Sequence, residues 1–365
     1  MTPLPALIPR RPAQFQRIFV AIGIFAGIIA ALPIVGAILA GIFGGPPTST
    51  TAFASAPPGN YVVYSSASET ADTIRVASAA DADTIAFIAE IPHLPGYISR
   101  GAVSPDGTQL ALVVADGGTQ VQPLASLIVL DLATGGAIRI ASDLSYLQDP
   151  VWTPDGGGVV AVRNAEAASA LVRFPIPGGN EETVASWAAS GLYPVGYDPQ
   201  GRLVSIIVDG RGSTVARDEN EVLQLSPSIT RDWALSPDGT RIAFVETDLS
   251  SGVNYLPRVV SLENGGVAAM AAQSDSQALG AAWSPASADV SFGLEPGTPA
   301  SGLTFAAEAG FDVPLQYAPD GSTLAVTHWT GSSFETPGDA SLDIVTPAGR
   351  ETIAGASRFF GWSAR

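Results

Sequence analysis

A Pro-Asp-Gly string recurs along the chain and limits its fold more than any other feature. It reads VSPDGTQLAL from Val103, WTPDGGGVVAV from Trp152, YDPQGRLVSI from Tyr197, LSPDGTRIAFV from Leu235, WSPASADVSF from Trp283 and YAPDGSTLAVT from Tyr317. The prolines stand at 105, 154, 199, 237, 285 and 319, spaced 49, 45, 38, 48 and 34 residues apart. That spacing brackets the roughly 40–45 residues of a four-stranded propeller blade. Proline fixes φ at the first central position of a turn, aspartate bonds the local amides, and glycine takes the left-handed conformation that follows. Each string therefore reverses the chain between two strands. After the first one, Leu110, Leu112 and Val114 alternate with Ala111, Val113 and Ala115, so both faces are apolar, as in a sheet packed between two others.

Two further strand-like runs follow each string, for example 127–132 with 137–141, 170–176 with 182–186, 259–262 with 267–271, and 342–345 with 351–354. The two ends supply one more unit. Phe359-Phe360-Gly361-Trp362-Ser363 matches the run into Trp283-Ser284 but stops before a turn, while Ala56-Pro57-Pro58-Gly59 and Tyr61-Val62-Val63-Tyr64 resemble the missing turn and second strand. The runs 73–77 and 84–88 complete that unit. Over residues 57–365, seven blades take about 44 residues each, whereas six would need about 52. The expected fold is all-β: a seven-bladed β-propeller, with six blades as the alternative, closed by a blade shared between the N- and C-terminal segments and preceded by one transmembrane helix.

The string resembles the Pro-Asp variant of the WD40-like repeat, the TolB-type β-propeller repeat found in the periplasmic propeller of the Tol–Pal envelope system and in propellers attached to some peptidases. The resemblance covers about 300 of the 365 residues and implies a propeller. It implies little about activity, because such propellers are reused for many tasks. The Tol protein is soluble and carries an additional N-terminal domain, and this chain differs in both respects, so no role in that system follows.

Residues 18–43 contain no charge, and a helix needs about 20 apolar residues to cross a bilayer. Arg10, Arg11 and Arg17 precede this stretch with no acidic residue, which places the N-terminus in the cytoplasm and the remainder outside it, periplasmic or extracellular. The domain reading is a cytoplasmic tail at 1–17, a signal-anchor helix at 18–43, a Gly/Pro/Ser/Thr-rich tether at 44–56 that adds nothing to folding stability, and the propeller at 57–365. Ala54-Ser55-Ala56 offers the competing reading of a cleavable signal peptide, whose apolar region would run only about 7–15 residues.

Chemistry is sparse. Cysteine and lysine are absent, which excludes disulfides, thiolate sites, Schiff bases and a P-loop. A net charge of −17 repels a phosphate backbone, so nucleic acid is not an expected partner. His93 and His328 are the only histidines, too few for a three-histidine zinc site, and read as a loop and a strand-end residue. No cofactor or metal is expected. Asp106, Asp155, Asp238 and Asp320 read as caps of their own turns, and Trp152, Tyr197, Trp283, Tyr317 and Trp362 as packing between blades.

One candidate site survives, and it comes from register. Three residues before the motif's apolar or aromatic position stand Arg100, Asp149 and Asp232, with Arg231 and Arg358 one place earlier in their own repeats. On innermost strands these five would gather at one level of the central channel. They could hold a polar ligand or partner tail, or only pair with one another. The function expected is a membrane-anchored module that binds a protein or envelope polymer without catalysis. The alternatives are a propeller lyase or hydrolase with a channel-mouth site, and an accessory subunit of a membrane complex.

Overall fold

Each Pro-Asp-Gly turn closes on donors supplied by its own neighbours. Oδ1 of Asp106 accepts from the Ser104 hydroxyl at 2.6 Å and from the Thr108 amide and hydroxyl at 3.0 and 2.8 Å. Asp155 and Asp238 repeat this with Thr153 and Ser236. Asp320, which has Ala318 in place of the hydroxyl, takes the Asn60 amide at 2.7 Å. The fourth glycine position of the set, Gly321, has φ of 72°, as Gly107, Gly156 and Gly239 have 73°, 70° and 66°. In the variant string at Tyr197 the carboxylate stands two residues earlier, before the proline: Asp198 accepts from the Gln200 and Arg202 amides and from the Arg202 guanidinium.

These turns punctuate an antiparallel, all-β propeller. The computed structural model describes residues 53–164, 168–250, 252–269, 277–287, 289–295 and 310–365, all within one compact unit that spans Pro46–Arg365. Among the described residues there are six four-stranded sheets and one two-stranded sheet. The four-stranded sheets at 100–144, 151–187, 191–226, 230–269 and 311–353 are each continuous in sequence, and the two-stranded sheet pairs Gln277–Trp283 with Val290–Glu295. In the remaining sheet the C-terminal strand Arg358–Ala364 pairs with Asn60–Ala67, followed by Ala71–Ser78 and Thr84–Pro92. Tyr61 faces Ser363 and Val62 faces Trp362, the union of the two ends that the sequence predicts. The predicted strands are found, mostly a few residues longer than their apolar runs because edge pairing continues into polar positions.

Apolar side chains fill the spaces between consecutive sheets. Val63, Ile74, Leu110, Leu112 and Phe360 pack the sheet of the two ends against the next. At the other side of that sheet, Val62, Tyr64, Ala325, Ile344 and Trp362 pack it against the 311–353 sheet. The repeat tryptophans add a fixed bond across these spaces. The indole N–H of Trp152 donates to the Ala102 carbonyl at 2.8 Å, that of Trp283 to Ala234 at 2.9 Å, and that of Trp362 to Gln316 at 3.2 Å. In all three the acceptor is the residue just before the motif position of the preceding sheet, so the inter-blade role read from the sequence holds.

The packed body begins before residue 57. Phe53, inside the stretch read as a tether, is 1% exposed, meets Tyr61 edge-on at 5.5 Å and lies under the Arg365 guanidinium at 4.3 Å. Arg365 also donates to the Ala54 carbonyl. Phe53 therefore belongs to the core and Ala56 packs against it, which corrects the expectation that the whole stretch is free of it. Residues 1–17 and the apolar stretch 18–43 lie outside the described residues. Among the described residues no helix is long and apolar enough to cross a membrane.

Candidate functional site

Innermost strands start at the end of each sheet opposite the Pro-Asp-Gly turns, and the candidate residues stand at that end. Arg100 opens its strand, Arg358 opens the C-terminal strand, and Asp149 lies in the loop just before Val151. The topology brings these three together from sheets that are distant in sequence. Nη2 of Arg358 donates to Oδ1 of Asp149 at 2.6 Å, and Nη1 of Arg100 lies 3.8 Å from Oδ2 of the same carboxylate. The longer distance is outside hydrogen-bonding reach. Nε of Arg100 is buried with no hydrogen-bond partner, and the guanidinium stacks over Tyr146 at 5.3 Å. One carboxylate thus serves two guanidinium groups.

Arg231 and Asp232 form a second cluster. Nη1 of Arg231 donates to Oδ2 of Asp232 at 2.8 Å, and the same oxygen accepts the Gly280 amide at 3.0 Å. Asp232 has φ of 57°, a left-handed conformation that aspartate tolerates better than most residues, at a bulge between Arg231 and Ala234. The bulge is repeated on the innermost strands at Pro194, Leu279 and Pro314. It re-aims the side chain at this position, which the period of a regular strand does not forecast. Arg231 packs over the edge-on pair of rings Tyr255 and Phe334, 4.5 and 5.5 Å from their centroids.

Both clusters line one cavity of about 840 Å³, to which Arg100, Asp149, Arg231 and Asp232 contribute with Pro194 and Gln316. Four of the five predicted residues line this space, and the five form two separate pairings rather than a single connected ring. Their exposure decides what the pairings do for stability. The Arg100, Asp149 and Arg358 side chains are 27%, 49% and 31% exposed, and ion pairs in such surroundings contribute about 0–1 kcal/mol. The cost of a deeply buried, broken pair does not apply to them.

Two polar clusters escaped the sequence reading. Buried Asp312 receives Nη1 of Arg350 at 2.9 Å and faces Nδ1 of His328 at 2.9 Å. Arg350 also donates to Asp343, which accepts from Ser341 and Thr352. Burial lowers the pKa of Arg350, and the two carboxylates more than reverse this, raising it above the ordinary value. The members are scattered from 312 to 352 and share only their neighbouring places across one sheet, so no motif announces them. His93 is buried as well, with Nε2 3.7 Å from Asp72, whose Oδ2 accepts the Ser99 amide at 2.6 Å. Neither side chain of the Asp72–His93 pair is exposed, so no substrate reaches it. Among the described residues no group of three or more His, Asp or Glu side chains could hold a metal ion.

No protein-family model and no curated protein matches the chain. Solved structures do. TolB from Acinetobacter baumannii is 15% identical, with a TM-score of 0.51 over 84% of this chain and 67% of that one. The β-propeller domain of the trilobed protease from Pyrococcus furiosus is 12% identical, with a TM-score of 0.53 over 80% of this chain and 96% of that domain. That domain has an open velcro topology, whereas here the strands from the two ends of the described body pair. Prolyl oligopeptidase B from Galerina marginata is 10% identical, with a TM-score of 0.50 over 84% of this chain and 50% of the enzyme. Identities this low speak for fold alone. Together with the repeat and the sheet order, they show that the chain carries the TolB-type β-propeller fold.

Proposed function

We propose that the chain is a membrane-anchored, extracytoplasmic propeller that binds a protein or envelope-polymer partner at the mouth of its channel, without catalysis of its own. The anchor is the charge-free stretch 18–43, and the arginines before it set its orientation. The ring has seven blades. The two-stranded sheet at 277–295 is the inner half of the seventh, and apolar clusters on both of its sides support this count.

A single observation carries the binding function: Arg100 stands at the cavity with one long ion pair and a carboxylate that Arg358 already engages. A cation held in place with so little return in stability is suited to an anion that arrives from outside. A partner carboxylate would give Arg100 the short, charge-assisted bonds it lacks. A photoreactive benzoylphenylalanine at Gln316 on the cavity wall tests this in native membranes of the full-length protein. A crosslinked adduct is expected there, absent when the probe is at Ile138 on an outer strand and lost with Arg100→Ala. Adducts of equal yield at both positions, or one indifferent to Arg100, would contradict the assignment.

A further inference from the structure

Two glycines set one space between sheets apart from the others. Gly157 and Gly158 stand where the corresponding strings carry Thr108-Gln109, Thr240-Arg241 and Ser322-Thr323. The second of these positions can cover the motif aromatic of the next sheet: the Arg241 guanidinium lies over the ring of Trp283 at 4.6 Å. Gly158 has no side chain to offer Tyr197 in the same way. Trp152, Trp283, Tyr317 and Trp362 are buried, and Tyr197 alone of the five motif aromatics is half-buried. It also lacks their fixed bond. The three tryptophans donate to main-chain carbonyls, and the Tyr317 hydroxyl shares a hydrogen bond of 2.6 Å with Ser291. The Tyr197 hydroxyl has no partner among the described residues.

Beside these glycines lies a cavity of about 440 Å³ between the 151–187 and 191–226 sheets, lined by Pro154, Asp155, Arg173, Pro175 and Tyr197. That volume falls within the roughly 300–1,000 Å³ of small-molecule sites. Each polar group on the wall has bonding capacity left. Asp106 and Asp238 accept a further bond from the hydroxyls of Thr108 and Thr240, and Gly157 has no hydroxyl for Asp155. Arg173 donates from Nη2 to Glu182, and its other guanidinium nitrogens bond nothing among the described residues. Burial pushes the Tyr197 phenol up to about 12, so it is a neutral donor near pH 7.

We infer that this cavity binds a neutral pyranose sugar, with the C–H face of the sugar ring on Tyr197 and its hydroxyls on Asp155 and Arg173. The walls select that class. An anion meets Asp155 and Glu182, and a cation meets Arg173, so neither charge suits the whole site. A sugar hydroxyl donates and accepts, and can satisfy a carboxylate, a guanidinium and a phenol together. The apolar face of the sugar ring matches an aromatic ring that no side chain covers. The site is separate from the channel mouth and does not rest on the mouth's role.

Saturation-transfer NMR on the detergent-solubilised full-length protein tests this, with the methyl pyranosides of glucose, galactose, mannose and N-acetylglucosamine as probes beside a trisaccharide of each. At least one is expected to bind, with saturation strongest on the hydrogens of one ring face. Affinity should fall tenfold or more with Gly158→Gln, which restores the side chain of the first string, and with Arg173→Met. It should stay unchanged with Ile138→Ser. A Cβ at Gly158 meets its nearest heavy atom at 3.2 Å, so a small local shift admits it, and the Arg173–Glu182 pair is exposed. Both variants should therefore melt with the parent, and matched melting curves are part of the readout. Binding of the methyl pyranosides assigns a free sugar, and binding confined to trisaccharides assigns a unit of a glycan chain. No binding by the parent, or binding that either variant leaves intact, would overturn the site. Methylguanidinium or acetate bound in place of every sugar, and lost with Gly158→Gln, would assign the cavity to a charged ligand and overturn the sugar.

Discussion

An aspartate in a Pro-Asp-Gly turn is stabilised by donors from within four residues, and this fixes its titration. Asp106, Asp155 and Asp238 titrate below the ordinary carboxylate value of 3.8, first because of the hydroxyls of Ser104, Thr153 and Ser236, and then through amide donors that outweigh desolvation. A carboxylate with a depressed folded-state pKa stabilises the fold above its unfolded-state value and loses that contribution as pH falls through the folded one. Thermal melts between pH 6 and 2.5 should therefore show stability falling below about pH 4. The Asp106→Asn/Asp238→Asn variant should show a shallower fall, because its turns no longer titrate. Equal slopes would mean that these turns do not contribute to acid unfolding. The Arg350 cluster behaves differently, since Asp312 and Asp343 are buried. Arg350→Met leaves two carboxylates without their cation and should cost about 3–5 kcal/mol in urea unfolding, whereas Arg100→Ala at the exposed mouth should cost about 1 kcal/mol or less.

At the scale of elements, the repeat made strands and turns legible because the signal is local: a proline, a carboxylate and a glycine in fixed order, followed by apolar runs. Features that arise between elements were harder to read. Phe53 is surrounded in sequence by Ala, Ser, Thr, Pro and Gly, and nothing in that stretch shows that its ring closes the core beside Tyr61 and Arg365. Phe53→Ala should destabilise by about 3 kcal/mol, the lower part of the range for a buried aromatic because the site is at an edge. Removal of residues 44–50 should leave the melting temperature unchanged. Deletion of residues 358–365 removes Phe360 and Trp362 and leaves the strand Asn60–Ala67 without its partner, so cooperative unfolding should be lost or shifted far downward. If the C-terminal deletion melts like the parent, the shared sheet does not support the fold. The mouth was legible in part. Register placed Arg100, Asp149, Arg231 and Asp232 around one cavity, but equal register does not reveal bulges, and a bulge is what turned Asp232 toward Gly280 rather than toward Arg100.

For the whole molecule, the packed sheets supply stability through apolar clusters that the charged side chains of the mouth do not join, so binding and folding are separable. Phe53 and Arg365 pack at the turn end of the sheets, and the charged cavity opens at the other. A direct consequence is that a change at the mouth can remove partner capture and leave the fold unchanged. The decisive measurement is paired: capture of the native partner by detergent-solubilised full-length protein, and the melting temperature of the same preparations, for the parent and for Arg100→Ala. Capture should be lost while the melting temperature stays within about 2–4 °C. Capture retained, or capture lost only together with a large fall in melting temperature, would contradict the assignment of the channel mouth as the binding site.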